Sequence, residues 1–347
     1  MPPTRERSFH LLVGSDPNDP AHYRRVEGRL VAWGRAIQVY GDADDPPDPA
    51  LADDLLETYE RVILPRCESW IGCPRDVDGD GRLTVLLSKR VGELGGGGEP
   101  VSGCVRPADF LDRMPEPFGN RCDLITLDSR LEPGPHARTV LAHEYAHAVI
   151  AGRKGFLPDG SSDGTAEEDW LDEAVAHGVE ARLGLSRTNL DHRVAAFRLA
   201  PERYGLVIAD YHASGSCRSA GHRGAAFGFL EYCTRRFGPN LIARLASSAE
   251  IGEVSLEKAA GRPLDRLFAG WARDEAGRYA EVTDRIRVDE PGSTWMAHGT
   301  TFHVLEVEPG HSAGLSFEVE APPGIRVSLD VVEPEGPRAT GPAVRLP

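Results

Sequence analysis

The chain has 347 residues, 40% hydrophobic and 27% charged, with a formal net charge of −15, an ordinary soluble balance with enough length for one large core or two. Such acidity argues against nucleic-acid binding, because Lys and Arg are what grip a phosphate backbone. No apolar run approaches the roughly 20 residues of a membrane helix, and the N-terminal apolar stretch FHLLVG is too short and His-interrupted for a signal peptide. This leaves either a cytoplasmic protein or one whose export signal lies outside this sequence.

In chain order, SFHLLVG and RAIQVYG within residues 8–41 read as short extended segments, and DADDPPDP (42–49) reads as a loop. Leu51, Leu55, Tyr59 and Val62 then recur at helical spacing, with acids early, so a helix is expected up to Cys67. RLTVLLS (82–88) and CDLITLD (122–128) are strand-like, and the glycine-rich run between them, GELGGGGEPVSG (92–103), reads as a flexible loop. From 137 to about 277 the pattern is helical, with segments near 138–151, 168–183, 190–200, 224–237, 239–249, 253–260 and 264–276. TTFHVLEVEPG, AGLSFEVEAPPG and IRVSLDVVEPEG then alternate as strands. They make a small β unit that an end at Pro347 would cut short.

The six cysteines fall into sequence-local pairs, Cys67/Cys73, Cys104/Cys122 and Cys217/Cys233. An even count so spaced suits three disulfides closing short loops in an oxidising compartment, against the alternative of six buried thiols. None forms a C-x-x-C knuckle, so cysteine-ligated zinc is not expected.

The stretch TVLAHEYAHAVIAG (139–152) carries the chemistry. His143 and His147 are four residues apart, on one helix face, where two imidazoles can bind one Zn²⁺ together. Glu144 lies beside that face, within reach of a metal-bound water, as a general base. A catalytic zinc wants a third protein ligand and a fourth position open to water. The continuation H-x-x-G-x-x-H is absent, since AVIAGRKG follows His147, and this excludes the metzincin type. Downstream, EEDWLDEAVAHGVEARLG places Glu173 in a second helix opened by an acidic run.

This combination resembles the gluzincins, in which a Glu of the next helix is the third ligand; by that resemblance Glu173 completes the set. RDVDGDGRLTVLLS, SGCVRPADF, CDLITLD, TVLAHEYAHAVI, DWLDEAVAHGVE and a later helical stretch occur in the order seen in the hyicolysin-type neutral zinc metallopeptidases. The similarity covers about residues 8–280. It implies an α+β, thermolysin-like two-lobed metallopeptidase domain, with a β-containing upper lobe and a helical lower lobe, followed by the small C-terminal β unit. The divisions expected are an N-terminal β segment over 1–49, a catalytic domain over 50–283 and the β unit over 284–347. The resemblance also implies a polypeptide substrate and, with the paired cysteines, an extracellular or cell-surface setting.

Relatives carry a Tyr, or a Tyr and a His, ahead of a later helix to support oxyanion charge. The matching segment DYHASGSCRSAGHRGAAFGF offers Tyr211, His212, His222 and Arg223, with His222 and Tyr211 ranked first. Four residues after Glu173, where an acid often orients a ligand His, stands His177, which could hydrogen-bond Glu173 or act as a fourth ligand. Asp169 and Asp172 read as surface acids before they read as partners of the ligands. No G-x-M-E-N segment is present to grip a free amine, so cleavage within polypeptides is favoured over aminopeptidase action. A non-catalytic binding module retaining zinc is the competitor, but it has no use for Glu144. G-x-S-x-G is absent, and the Gly95–Gly98 run lacks a P-loop ending.

In DVDGDGRL, Asp76, Asp78 and Asp80 stand at calcium-loop positions one, three and five, with Gly81 at six. Position twelve is Leu87 and a strand follows, so a full EF-hand is not expected. What remains is a Ca²⁺ held by three Asp and a backbone carbonyl, or an Asp-rich turn.

Overall fold

The computed structural model describes residues 2–95, 101–154, 165–208 and 219–278, together with 286–287, 300–303 and 305–306. The N-terminal third builds a mixed sheet. Strand β1 (Glu6–Leu12) pairs antiparallel with β2 (Tyr23–Trp33), Phe9 facing Val26, and β2 pairs antiparallel with β3 (Ile37–Asp42). β3 then runs parallel to β4 (Leu83–Leu87), and β4 runs parallel to β6 (Leu124–Leu127). The short β5 (Gly103–Cys104) closes the order β1-β2-β3-β4-β6-β5, antiparallel to β6.

The central strands are buried on both faces, which is why they read as apolar runs rather than alternations. Their side chains divide with period two. Ile37, Val39, Val85, Leu87, Ile125 and Leu127 join the main core under the helices, while Tyr40, Leu86 and Leu124 join Phe9, Leu11 and Val26 on the other side. β2 was only partly legible, because YRRVEGRLVAW puts charge on its exposed face.

Helix α1 (Pro49–Thr58) begins as its sequence dictates, with Asp48 accepting from the Ala50 N–H and Pro49 at the first turn. A π-turn follows over Tyr59–Ile63 before α2 (Leu64–Cys67). Its wider turn shifts the phase, so Ile63 rather than Val62 takes the core position.

The helical part comprises α3 (Pro135–Ala151), α4 (Asp169–Leu183), α5 (Thr188–Leu199), α6 (Ala220–Phe237), α7 (Leu241–Ser247), α8 (Gly252–Ala260) and α9 (Leu264–Arg278). α3 is buried nearly all round, packed against α1, α4 and β6. A buried ion pair, Lys154 Nζ to Glu167 Oε2 at 2.8 Å, ties the exit of α3 to the approach of α4. α6 lies close on α5, where a Cβ at Gly224 would meet the Arg193 carbonyl at 2.0 Å, so only glycine allows the contact. No helix among the described residues is long and apolar enough to cross a membrane.

The disulfide expectation is corrected. Cys67, Cys73, Cys104, Cys122 and Cys233 are free thiols, and Cys217 lies outside the described residues. Cys104 registers with Thr126 on β6, four residues from Cys122, or roughly 13 Å along a strand; a disulfide needs Cα atoms within about 7 Å. Cys67 packs in the main core while Cys73 lies half-buried beyond the turn, next to Gly72, whose carbonyl accepts from the Tyr145 hydroxyl at 2.7 Å. These thiols behave as small apolar groups, and burial pushes Cys67 up to about 12. An extracellular setting therefore rests on the resemblance alone.

Of the expected C-terminal β unit, only β7 (Ile286–Arg287), β8 (Leu305–Glu306) and residues 300–303 are described; the rest of its strands lie outside the described residues. Phe302 packs edge-on against Trp271 at 5.7 Å, and Thr300 accepts hydrogen bonds from the Leu206 and Val207 N–H groups. This segment is thus part of the helical packing.

Candidate metal centre

Three helices converge on one cluster. α3 starts with Pro135 at its first turn, and its apolar positions fix its roll. His143 is thereby buried toward α4 and Glu144 against Gly103 of β5, each 6% exposed. The imidazole Nε2 atoms of His143 and His147 stand 3.0 Å apart. Glu173, in the second turn of α4, brings Oε2 to 3.4 Å from His143 Nε2.

Behind each ring stands a carboxylate. His143 Nδ1 is 2.6 Å from Glu180 Oε1, and His147 Nδ1 is 3.0 Å from Asp172 Oδ1. When each Nδ1 carries the ring proton toward its carboxylate, each Nε2 presents a lone pair. Two lone pairs 3.0 Å apart repel unless positive charge lies between or beside them. The two spacings about His143 suit zinc: bonds of about 2.0–2.1 Å in a tetrahedron place ligand atoms roughly 3.3 Å from one another. His143 Nε2 stands 3.0 Å from His147 Nε2 and 3.4 Å from Glu173 Oε2, while the three donors that all lie within 4.8 Å of one another are those of His143, Glu173 and His177.

The electrostatics say the same. Burial disfavours charge on His147, yet Asp172, Glu144 and Glu173 overcome it and hold the ring up at about 10. Glu173 is buried too, but the Arg223 guanidinium and His143 keep it well below the usual carboxylate range. Arg223 Nη2 reaches Glu173 Oε2 at 2.5 Å and His143 Nε2 at 3.1 Å. The point bounded by these atoms collects cations. Burial pushes the Glu144 carboxyl above the usual range, against the pull of His143 and His147.

His177 does not make the hydrogen bond to Glu173 expected of it. Its Nε2 is 3.6 Å from Glu173 Oε2, beyond a hydrogen bond. Its Nδ1 pairs with Glu180 Oε1 at 2.7 Å, and its Nε2 accepts from Arg223 Nε at 3.1 Å and lies 2.7 Å from Arg193 Nη1. Although His143, Glu173 and His177 lie close enough to share an ion, both ring nitrogens of His177 are engaged, and burial with Arg193 drives its pKa well below the ordinary value.

Asp172, read from sequence as a surface acid, is the partner of His147. Glu180 was missed, though its signal was present: Glu173, His177 and Glu180 recur at i, i+4 and i+7 on one face. Arg223 rather than His222 reaches the cluster. The His222 ring lies edge-on to Tyr204 at 5.1 Å, with Nδ1 buried and unpartnered. Tyr211 and His212 lie outside the described residues. Gly103 on β5 was also missed; a Cβ there would meet Glu144 Cγ at 2.7 Å and Oε1 at 2.8 Å, so the glycine seats the carboxylate.

No family model matches the chain. Over 178 residues it is 30% identical to the neutral metalloprotease ShpI of Staphylococcus hyicus, a match that covers 49% of this chain and 39% of that protein. The chain thus spans about two-fifths of the curated relative, and what is shared over that stretch is similarity to a metalloprotease.

Proposed function

We propose that the chain is a zinc-dependent peptidase cleaving within polypeptides, in a thermolysin-like arrangement where His143, His147 and Glu173 hold the ion. The observation that carries this reading is the pair of facing Nε2 atoms at 3.0 Å, each ring backed by a carboxylate, with Glu173 beside them. Bound zinc polarises a scissile carbonyl and acidifies a water. Glu144, with its raised carboxyl, is suited to take that water's proton and return it to the leaving amine. Arg223 supplies a fixed positive charge where carbonyl oxygen charge develops, the role expected from sequence of His222 or Tyr211.

A polypeptide fits the surroundings. β5 is the outer strand of the sheet order, and its Gly103 lies against Glu144. An extended peptide adding to that edge would run past the base. Enlarging the glycine should shift the carboxylate. Gly103→Ala is expected to lower kcat/KM by about a hundredfold, the order of effect of an ångström's misplacement, with zinc content unchanged by elemental analysis.

The test of the reading itself is hydrolysis of a quenched-fluorescent peptide blocked at both ends. Chelation should abolish it and added zinc restore it. Cleavage that persists under the chelator would end the metallopeptidase reading. A strict need for a free N-terminus would instead make the chain an aminopeptidase.

A further inference from the structure

We propose that the 76–81 loop and Asp123 together form a binding site for one hard divalent cation of the calcium class, sharing no residue with the His143 cluster. The loop leads directly into β4, and β6 runs parallel beside it with Thr84 registered on Leu124. The Thr84 N–H donates to the Asp123 carbonyl at 3.1 Å, so Asp123 stands where the loop enters the sheet.

Carboxylate oxygens of Asp76, Asp78 and Asp80 lie within 4.8 Å of one another. Asp78 belongs at the same time to a second group, with Asp123 and the Cys122 sulfur, on the same limit. Asp123 supplies the independent observation. It is 3% exposed, and its Oδ1 is buried with no hydrogen-bond partner. Buried carboxylate oxygens are normally satisfied, and this one, on a residue grouped with Asp78 of the loop, lacks a partner. Arg7 Nη1 reaches Asp78 Oδ2 at 2.6 Å, one guanidinium against four carboxylates.

The sequence lacked a carboxylate at loop position twelve, where Leu87 is buried in β4. The fold provides one from elsewhere, through the neighbouring strand. Gln38 adds an amide, tying Asp80 Oδ2 at 2.6 Å while its own Oε1 is buried without a partner. Oxygen donors so outnumber the single thiol that the set suits Ca²⁺, which takes six to eight oxygens, over a thiolate-seeking metal.

The experiment is calorimetric titration of CaCl₂ into the zinc-loaded full chain, stripped of calcium on a chelating resin, alongside thermal unfolding. One Ca²⁺ per chain and a higher Tm are expected. Asp123→Asn should weaken binding by about tenfold or more while leaving the Tm of the calcium-free chain no lower, because burial already pushes the Asp123 carboxyl up to about 9 and the amide is its neutral isostere. A residue with a purely structural role would not show both effects. Asp78→Asn, whose loop position makes folding safe, should weaken binding as well and carries the test if Asp123→Asn does not fold. The absence of both binding heat and a Tm change up to about 10 mM calcium would overturn the proposal, as would undiminished affinity in both variants. Binding of a second zinc, lost in Cys122→Ser, would also overturn it in favour of a soft-metal site.

Discussion

Replacing Glu144 with glutamine is expected to cut kcat/KM on a peptide substrate by about 10³-fold or more, toward the upper end of what a positioned general base contributes. The change is isosteric, and none of the proposed zinc contacts uses Glu144, so metal content should stay at that of the native chain. Stability should move the other way. Burial raises the Glu144 carboxyl above the usual range. A group whose folded pKa is raised contributes stability below its unfolded pKa and loses it as pH rises through the folded value. At neutral pH the ionised carboxylate therefore costs stability, and the neutral amide removes that cost. The metal-free Glu144→Gln chain should unfold at a higher temperature than native metal-free chain at pH 7, with the difference shrinking as pH falls. Undiminished hydrolysis by Glu144→Gln would remove it from the chemistry.

What could be read from the sequence was what local spacing determines. His143 and His147 share a face because a helix turns every 3.6 residues, and the apolar residues around them left no other conformation. The strands of the central sheet announced themselves as apolar runs. What escaped depends on where elements meet. Arg223 reaches the cluster and His222 does not because α6 begins at Ala220, capped by Ser219; with the helix expected from 224, its phase at these residues was undefined. The proposed pairing of Cys104 with Cys122 failed on strand register, which appears only once β5 is laid beside β6. Asp123 became part of an acidic group only because β6 neighbours β4. Glu180 is a different case, since the helical spacing that located His177 extends three residues further to it.

The second large effect concerns which residue of α4 completes the metal site. Glu173 and His177 both lie within reach of His143, but their surroundings differ. Glu173 is kept ionised beside the Arg223 guanidinium, whereas His177 has Nδ1 on Glu180 and Nε2 beside Arg193 and Arg223. A ligand needs a free lone pair, and only Glu173 has oxygen lone pairs to spare. Glu173→Gln should therefore lower zinc affinity beyond the roughly 10–100-fold that loss of an outer partner costs, and activity should fall with it. His177→Asn should keep zinc. Its cost should appear in folding, about 1–3 kcal/mol, because Glu180, Arg193 and Arg223 lose a buried partner. Zinc stoichiometry under a competing chelator, with unfolding temperature measured on the same samples, separates the two. If Glu173→Gln retained the ion and His177→Asn released it, the third ligand would be His177. The network joining Glu180, Arg193 and Arg223 would then be holding a ligand in place instead of holding two helices together.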